Sequence, residues 1–107
     1  MQSLMLASQL FPDVLSGTKI STIRWQEPRI GPGPLRLVDV SDPARSVVVE
    51  VRRCTDAPLR DAAALLGRAD EWPGPVMLSR LRVHYPAIGL DDLVQVIEFE
   101  PPQNVWS

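Results

Sequence analysis

Lysine, histidine and cysteine are almost absent from this chain of 107 residues, which carries one of each: Lys19, His84 and Cys54. A lone cysteine cannot close an internal disulfide, and its apolar neighbours make it a small buried hydrophobe rather than a nucleophile. With one histidine and one cysteine, a structural zinc site is excluded, as is any Ser-His-Asp arrangement that does not use His84. No apolar run approaches the roughly 20 residues that span a bilayer, so no membrane partner is expected. The first ten residues lack a basic start and a small-residue cleavage pattern, so a secretory leader is not expected and the expected setting is cytoplasmic. A dominant charge is missing too. Lysine and arginine total 11 against 13 acidic residues, a net charge of −2 with no block of one sign. Long-range attraction to nucleic acid or an anionic surface is therefore expected to be weak.

What is present suits one ordinary globular domain spanning 1–107: 45 % hydrophobic and 22 % charged residues. Ten arginines stand against the single lysine. A GC-rich genome that swaps lysine for arginine would produce that bias. On that view the lysine left is one that arginine cannot replace, because a desolvated lysine can lose its proton and a guanidinium cannot.

Eleven prolines and six glycines cut the chain into short elements. Ser3–Gln9 reads as a first strand. Phe11, Val14 and Leu15 at helical spacing, with Pro12 in the first turn and Gly17 as a stop, predict a helix over 11–17. Ile20, Thr22 and Ile23 favour a strand over 19–24. Gly31-Pro32-Gly33-Pro34 lacks the lysine of a phosphate loop and reads as a turn. Strands follow at 35–40 and 47–53, the second alternating Val47, Val49 and Val51 against Glu50 and Arg52, with Asp42-Pro43 as the loop between them. Pro58, then Leu59, Ala62, Ala63 and Leu66, then Gly67 bound a helix. A second helix runs from about Pro75 to His84, turning Met77, Leu78 and Leu81 inward, and must stop by Pro86. Asp92–Glu100 is the last strand, with Leu93, Ile97 and Phe99 on its inner face. The strands do not alternate with crossover helices. An α+β fold is expected, with a small, mostly antiparallel curved sheet or partial barrel and helices packed outside.

The segment from Phe11 to Arg24 carries the chemistry. Thr22 and Arg24 share a strand face, because side chains repeat every two residues. Lys19 joins them only if it lies on the turn before the strand, which Gly17 makes feasible. Gly17-x-Lys19-x-x-Thr22-x-Arg24, after an apolar helix and before Pro32-Gly33-x-Leu35, resembles the ASCH domain of the PUA-like superfamily. The resemblance runs over nearly the whole chain, through the acidic stretch at Glu71, the helix ending at His84-Tyr85-Pro86 and the closing Val96-Ile97-Glu98-Phe99. It departs at Pro34, where relatives often have an acidic residue, and that alters the expected pocket rim.

Small bacterial members of this family include amidohydrolases acting on N4-acetylcytidine, and others are regarded as RNA-binding or ribonucleolytic. The resemblance implies a catalytic lysine, threonine and glutamate. By motif these are Lys19, Thr22 and a carboxylate in Arg68-Ala69-Asp70-Glu71-Trp72, with Glu71 the choice and Asp70 the alternative. Beside these, the residues themselves suggest substrate contacts: Arg24 to a phosphate or base edge, Trp25 and Trp72 by stacking on a base, and Asp70 beside Glu71; no cofactor or metal is expected. The chemistry suits amide hydrolysis. A threonine hydroxyl needs a base. A lysine made neutral by desolvation or a nearby cation can be one. A carboxylate can serve the leaving amine or a water. Each residue also has a plain role: Thr22 as a β-branched strand residue, Arg24 as a surface partner of Glu27 or Asp39, Glu71 as a solvated loop residue, Trp25 and Trp72 as packing. The leading expectation is an amidohydrolase for a nucleoside-sized ligand. The alternative is a non-catalytic RNA or nucleotide module, with a ribonuclease third.

The charge balance sets a test. Titration with single-stranded RNA at two salt concentrations is expected to give a shallow salt slope, with cytidine bound at least as well as the RNA. A slope equivalent to many neutralised phosphates would identify long RNA as the partner.

Overall fold

Prolines and glycines decide where the elements stop, and the apolar residues between them decide which face is buried. The computed structural model describes residues 1–102. In chain order the elements are β1 (Gln2–Leu6), a 3-10 turn (Ser8–Leu10), α1 (Phe11–Ser16), β2 (Ser21–Arg24), β3 (Gly33–Asp39), β4 (Asp42–Pro58), α2 (Leu59–Leu65), α3 (Gly74–Arg82) and β5 (Leu93–Glu100). The class is α+β. The five strands form one mixed sheet in the order β1-β3-β4-β5-β2, with β1 parallel to β3 and β3 antiparallel to β4. A parallel neighbour requires a crossover, and the chain between β1 and β3 supplies one that contains α1 and β2. No helix among the described residues is long and apolar enough to cross a membrane.

The described residues group into two units, one made of residues 1–22, 30–54 and 97–102, the other of 23–29 and 55–96. In the first, alternation buries Leu4 and Leu6 of β1 and leaves Met5 between them 47 % exposed. Register then stacks the inward residues: Leu4 lies opposite Leu37, and Leu35 opposite Val49. Phe11 and Val14 of α1, with Ile97 and Phe99 of β5, complete this core, and Cys54 packs against it half-buried. Each such side chain contributes about 1.5–3 kcal/mol when fully buried.

Two expectations about the turns on either side of β3 are corrected. Gly33 and Pro34 belong to β3 rather than to the preceding turn. Pro34 is tolerated because the pairing with β1 begins only at Leu35, so no ladder bond to β1 is lost to the missing N–H. The connection is Val40-Ser41, not Asp42-Pro43, which start β4. Its cause is Asp39, whose buried carboxylate accepts the Ser41 N–H at 2.9 Å and the Ser41 hydroxyl at 2.9 Å. Ser8 Oγ donates to the same oxygen, and Arg45 Nη1 lies 3.7 Å from the other. The register jumps from Val38–Ser46 to Asp39–Asp42, so Pro43, Ala44 and Arg45 bulge from the pairing. The hydrogen bond from Ser8, foremost, holds the Asp39 carboxyl below its ordinary range against the opposing effect of burial, with Ser41 and the Arg45 charge adding to it.

The second unit is built on α2 and α3. Leu59, Ala62 and Ala63 of α2 join Met77 of α3, Ile88, and Val94 and Val96 of β5. The first N–H groups of α2 do not go unpaired: Leu59 N donates to Asp92 O at 2.9 Å and Arg60 N to Leu90 O at 3.0 Å. Gly67, at φ 69°, ends the helix in the left-handed region where a side chain is strained. The structure corrects the reading of Leu93 as a core residue, since it is 63 % exposed and belongs to neither core. The four residues that follow it, Val94 to Ile97, are all buried. Simple alternation fails there because β5 supplies both cores, Val94 and Val96 to one, Ile97 and Phe99 to the other.

Leu35→Ala, at a fully buried site, is expected to cost about 2–5 kcal/mol in denaturant unfolding. Val48→Ala, at a side chain on the same sheet that is 41 % exposed, is expected to stay within about 0.5 kcal/mol of wild type. Equal losses would refute the assignment of the buried face.

Candidate functional site

Lys19 owes its place to the way α1 ends. Gly17 adopts φ 83°, and its N–H donates to Val14 O at 3.2 Å. A Cβ on Gly17 would also come within 3.3 Å of the Pro101 ring. The chain then folds back, Lys19 N donating to Asp13 O at 2.9 Å. Lys19 and Ile20 therefore precede β2, which begins at Ser21. Freed from strand alternation, the Lys19 side chain curls forward and Nζ donates to the Ser21 carbonyl at 2.7 Å. Next along β2 is Thr22, a buried polar residue with 6 % of its surface exposed. Lys19 itself is half-buried. An ammonium donating to a carbonyl has two further N–H groups, and a neutral amine in the same place can still donate. The contact is compatible with either protonation state.

Arg24 ends β2 and begins the second group of residues. Gln26 takes a positive φ of 56°, the one non-glycine residue to do so among those described. Such a conformation costs on the order of 1–3 kcal/mol and persists where the surroundings enforce it. It reverses the chain and sets Glu27 beside Arg24, with Arg24 Nη1 3.4 Å from Glu27 Oε1. Of the two partners the sequence leaves open for Arg24, Glu27 is the one paired. The other carboxylate oxygen of Glu27 accepts the hydroxyl of Tyr85. Tyr85 also meets Trp25, ring edge to ring face, with centroids 6.0 Å apart and planes at 85°.

Arg24, Gln26, Glu27, Arg29, Asp56 and Gln95 are among the residues lining a pocket of about 170 Å³. That is below the roughly 300 Å³ typical of pockets that enclose a whole drug-sized ligand, and gives room for part of a nucleoside. Its rim is charged on both signs, since Arg29 Nη2 pairs with Asp56 Oδ2 at 2.7 Å. Gln95 is a buried polar residue, and buried amides need partners for both their donor and their acceptor.

The acidic loop lies between α2 and α3. Glu71 is exposed, and its carboxylate accepts Arg68 Nη1 at 2.8 Å. Asp70 is exposed as well. Trp72 is half-buried, with the guanidinium carbons of Arg68 and Arg80 at 5.3 Å and 5.9 Å from the ring centre. A base stacking on a ring face so covered has to displace an arginine.

Sequence reasoning did not single out Glu27, Tyr85 or Gln95 as site residues. Tyr85 was legible only as the residue before Pro86, where a helix must end. Its bond to Glu27 joins residues 58 apart in the chain, and no local pattern announces such a pairing.

Burial, foremost, with the hydrogen bond and charge of Glu27, pushes the Tyr85 phenol up to about 12, against smaller opposing effects from Arg24 and the Trp25 backbone N–H. The neutral phenol is thus favoured by the fold. Its contribution to stability is complete below the ordinary tyrosine pKa near 10 and is lost as pH rises toward about 12. The chain has one tyrosine, so absorbance near 295 nm reads this group alone. Its midpoint is expected well above 10 in the native protein and lower in Glu27→Ala; a wild-type midpoint near 10 would disprove the buried pairing.

Compared with protein-family models, with curated proteins and with solved structures, the chain matches none.

Proposed function

We propose that the chain is an ASCH-type domain whose mixed sheet is a PUA-like partial barrel, and that it hydrolyses the acetyl amide of N4-acetylcytidine or a related acylated nucleoside. The observation that carries this reading is the placement of Lys19 on the turn before β2, folded over the Ser21 carbonyl and three residues before the buried Thr22. It supports the reading because a lysine on that turn, outside the strand, is free of the alternation that would turn it away from Thr22.

In the proposed reaction, Lys19 as the neutral amine accepts the Thr22 hydroxyl proton while Oγ1 attacks the acetyl carbon. The carbonyl electron pair moves to oxygen and returns as the bond to N4 breaks. The departing N4 takes the proton back from the Lys19 ammonium, leaving cytidine, a neutral Lys19 and an acetyl ester on Thr22. Water gives a proton to neutral Lys19 as it attacks the ester; the bond to Thr22 Oγ1 then breaks, Lys19 returns the proton to that oxygen, and the acetic acid formed leaves as acetate with its proton lost to solvent. Glu71 has the carboxylate role by resemblance. Cytosine N4 is a better leaving group than an alkyl amine because the ring delocalises its charge, so a small set of groups suffices.

A second reading, a binding module without chemistry, is favoured by one observation: Glu71 is exposed and its carboxylate is engaged by Arg68. The pocket beside Arg24 would then hold a nucleotide without cleaving it.

Release of cytidine from N4-acetylcytidine separates the two. Wild type is expected to turn over. Lys19→Arg keeps the charge but cannot deprotonate, and is expected to lose about 100- to 10,000-fold with an unchanged thermal melt. Thr22→Val keeps the branched shape and is expected to lose a comparable factor, because groups acting as one unit are not additive. Activity retained in Lys19→Arg removes the base role. No turnover of any acylated cytidine by wild type, with binding intact, selects the second reading.

A further inference from the structure

Glu27 is the one described carboxylate bonded to both an arginine of the pocket and a distant hydroxyl: Oε1 faces Arg24 Nη1 and Oε2 receives the Tyr85 hydroxyl. Tyr85 grips the same segment in one other way, setting its ring at right angles to the Trp25 ring with centroids 6.0 Å apart. Two contacts from one side chain thus fall on residues 24–27, the stretch that Gln26 bends at positive φ. Both Arg24 and Glu27 line the pocket. The side chain of Arg24 is 13 % exposed and that of Glu27 29 %, so the pair is partly withdrawn from solvent and its direction is not averaged away as it is at an open surface.

From this geometry we propose that Tyr85 and Glu27 are positioning residues that hold the Arg24 guanidinium in one orientation at the pocket, where it receives the acceptor edge of a nucleobase. The proposal rests on the nucleoside reading above for the ligand, and on the contacts alone for the positioning. Tyr85 does not touch the ligand; it acts through Glu27 on Arg24. A carboxylate given a hydroxyl donor on one oxygen cannot rotate away from the guanidinium on the other without breaking that bond. Preorganisation of this kind reduces the ordering cost when ligand arrives, and therefore appears in affinity more than in the rate of the chemical step.

Two readouts test it. The first needs no ligand. Exchange of the Arg24 guanidinium N–H protons with water, read by NMR and assigned with Arg24→Lys, is expected to be slow in wild type and roughly tenfold or more faster in Tyr85→Phe, a coupling of the size contacting residues show. Glu27→Gln is expected to do the same, because an amide offers a donor to one of the two groups that both need an acceptor. Unchanged exchange in both variants overturns the proposal. The second readout is cytidine affinity for wild type, Tyr85→Phe, Arg24→Lys and the double variant. Tyr85→Phe is expected to weaken binding about tenfold in the wild-type background and to have no further effect beside Arg24→Lys. Additive losses overturn the proposal, since they show Tyr85 acting on the ligand site by another route. In turnover the loss is expected in KM, with kcat nearly kept. Should wild type bind no cytidine, the nucleoside reading falls, and the exchange measurement still decides whether Tyr85 holds Arg24.

Discussion

β5 is the constraint on which the rest of this structure depends. It is the last element among the described residues, yet Val94 and Val96 complete one hydrophobic core and Ile97 and Phe99 the other. Neither core can close before the C-terminal strand arrives. Its run of four buried residues admits no polar alternation except Gln95, a buried amide on the pocket wall. The strand is anchored beyond its own ladder as well. Phe99 N donates to the Ile20 carbonyl at 2.9 Å, which ties the strand to the turn that carries Lys19. The catalytic reading of that turn therefore depends on residues almost 80 positions further along the chain.

Each unit also contains a carboxylate that gathers donors from distant segments. In the first, Asp39 takes Ser8, Ser41 and Arg45, and so joins the 3-10 turn to the β3–β4 connection. In the second, Glu27 takes Arg24 and Tyr85. The physical logic is shared. A carboxylate withdrawn from water is costly unless its oxygens accept hydrogen bonds, so burial selects the arrangement in which several donors converge. The effects on acidity differ in sign because the titrating partner differs. Asp39 is itself the acid, and its donors favour the charged form. Beside Glu27 the acid is Tyr85, and burial first, then the hydrogen bond and negative charge of Glu27, favour the neutral phenol.

The proposed chemistry draws on the same economy. A lysine can take a base role only where the backbone positions it, and here a helix stop sets Lys19 on the turn before β2, over the Ser21 carbonyl. Gly17 at positive φ, the Asp13 carbonyl and the late start of β2 together place Lys19 outside the strand. One residue of strand extension toward the N-terminus would begin to impose alternation on that turn.

Much of this was determined by local sequence. The helix ends at Gly17 and Gly67, the start of α2 after Pro58, the alternation of Val49 and Val51, and the need for Lys19 to sit on a turn all follow from preferences that act over a few residues. What only tertiary structure decided are pairings between segments far apart. Nothing near Gln2–Leu6 announces a parallel partner at Leu35–Asp39. Asp42-Pro43 has the composition of a turn, yet Ser8 and Ser41 draw the turn to Val40-Ser41 through Asp39. Leu93 continues the apolar pattern of β5 but lies outside both cores, and Arg24 had two candidate partners until the bend at Gln26 brought Glu27 beside it. The reason is physical: propensity and capping are read from neighbouring residues, whereas the solvation of a buried carboxylate or the far face of a strand depends on which remote segments fold against it.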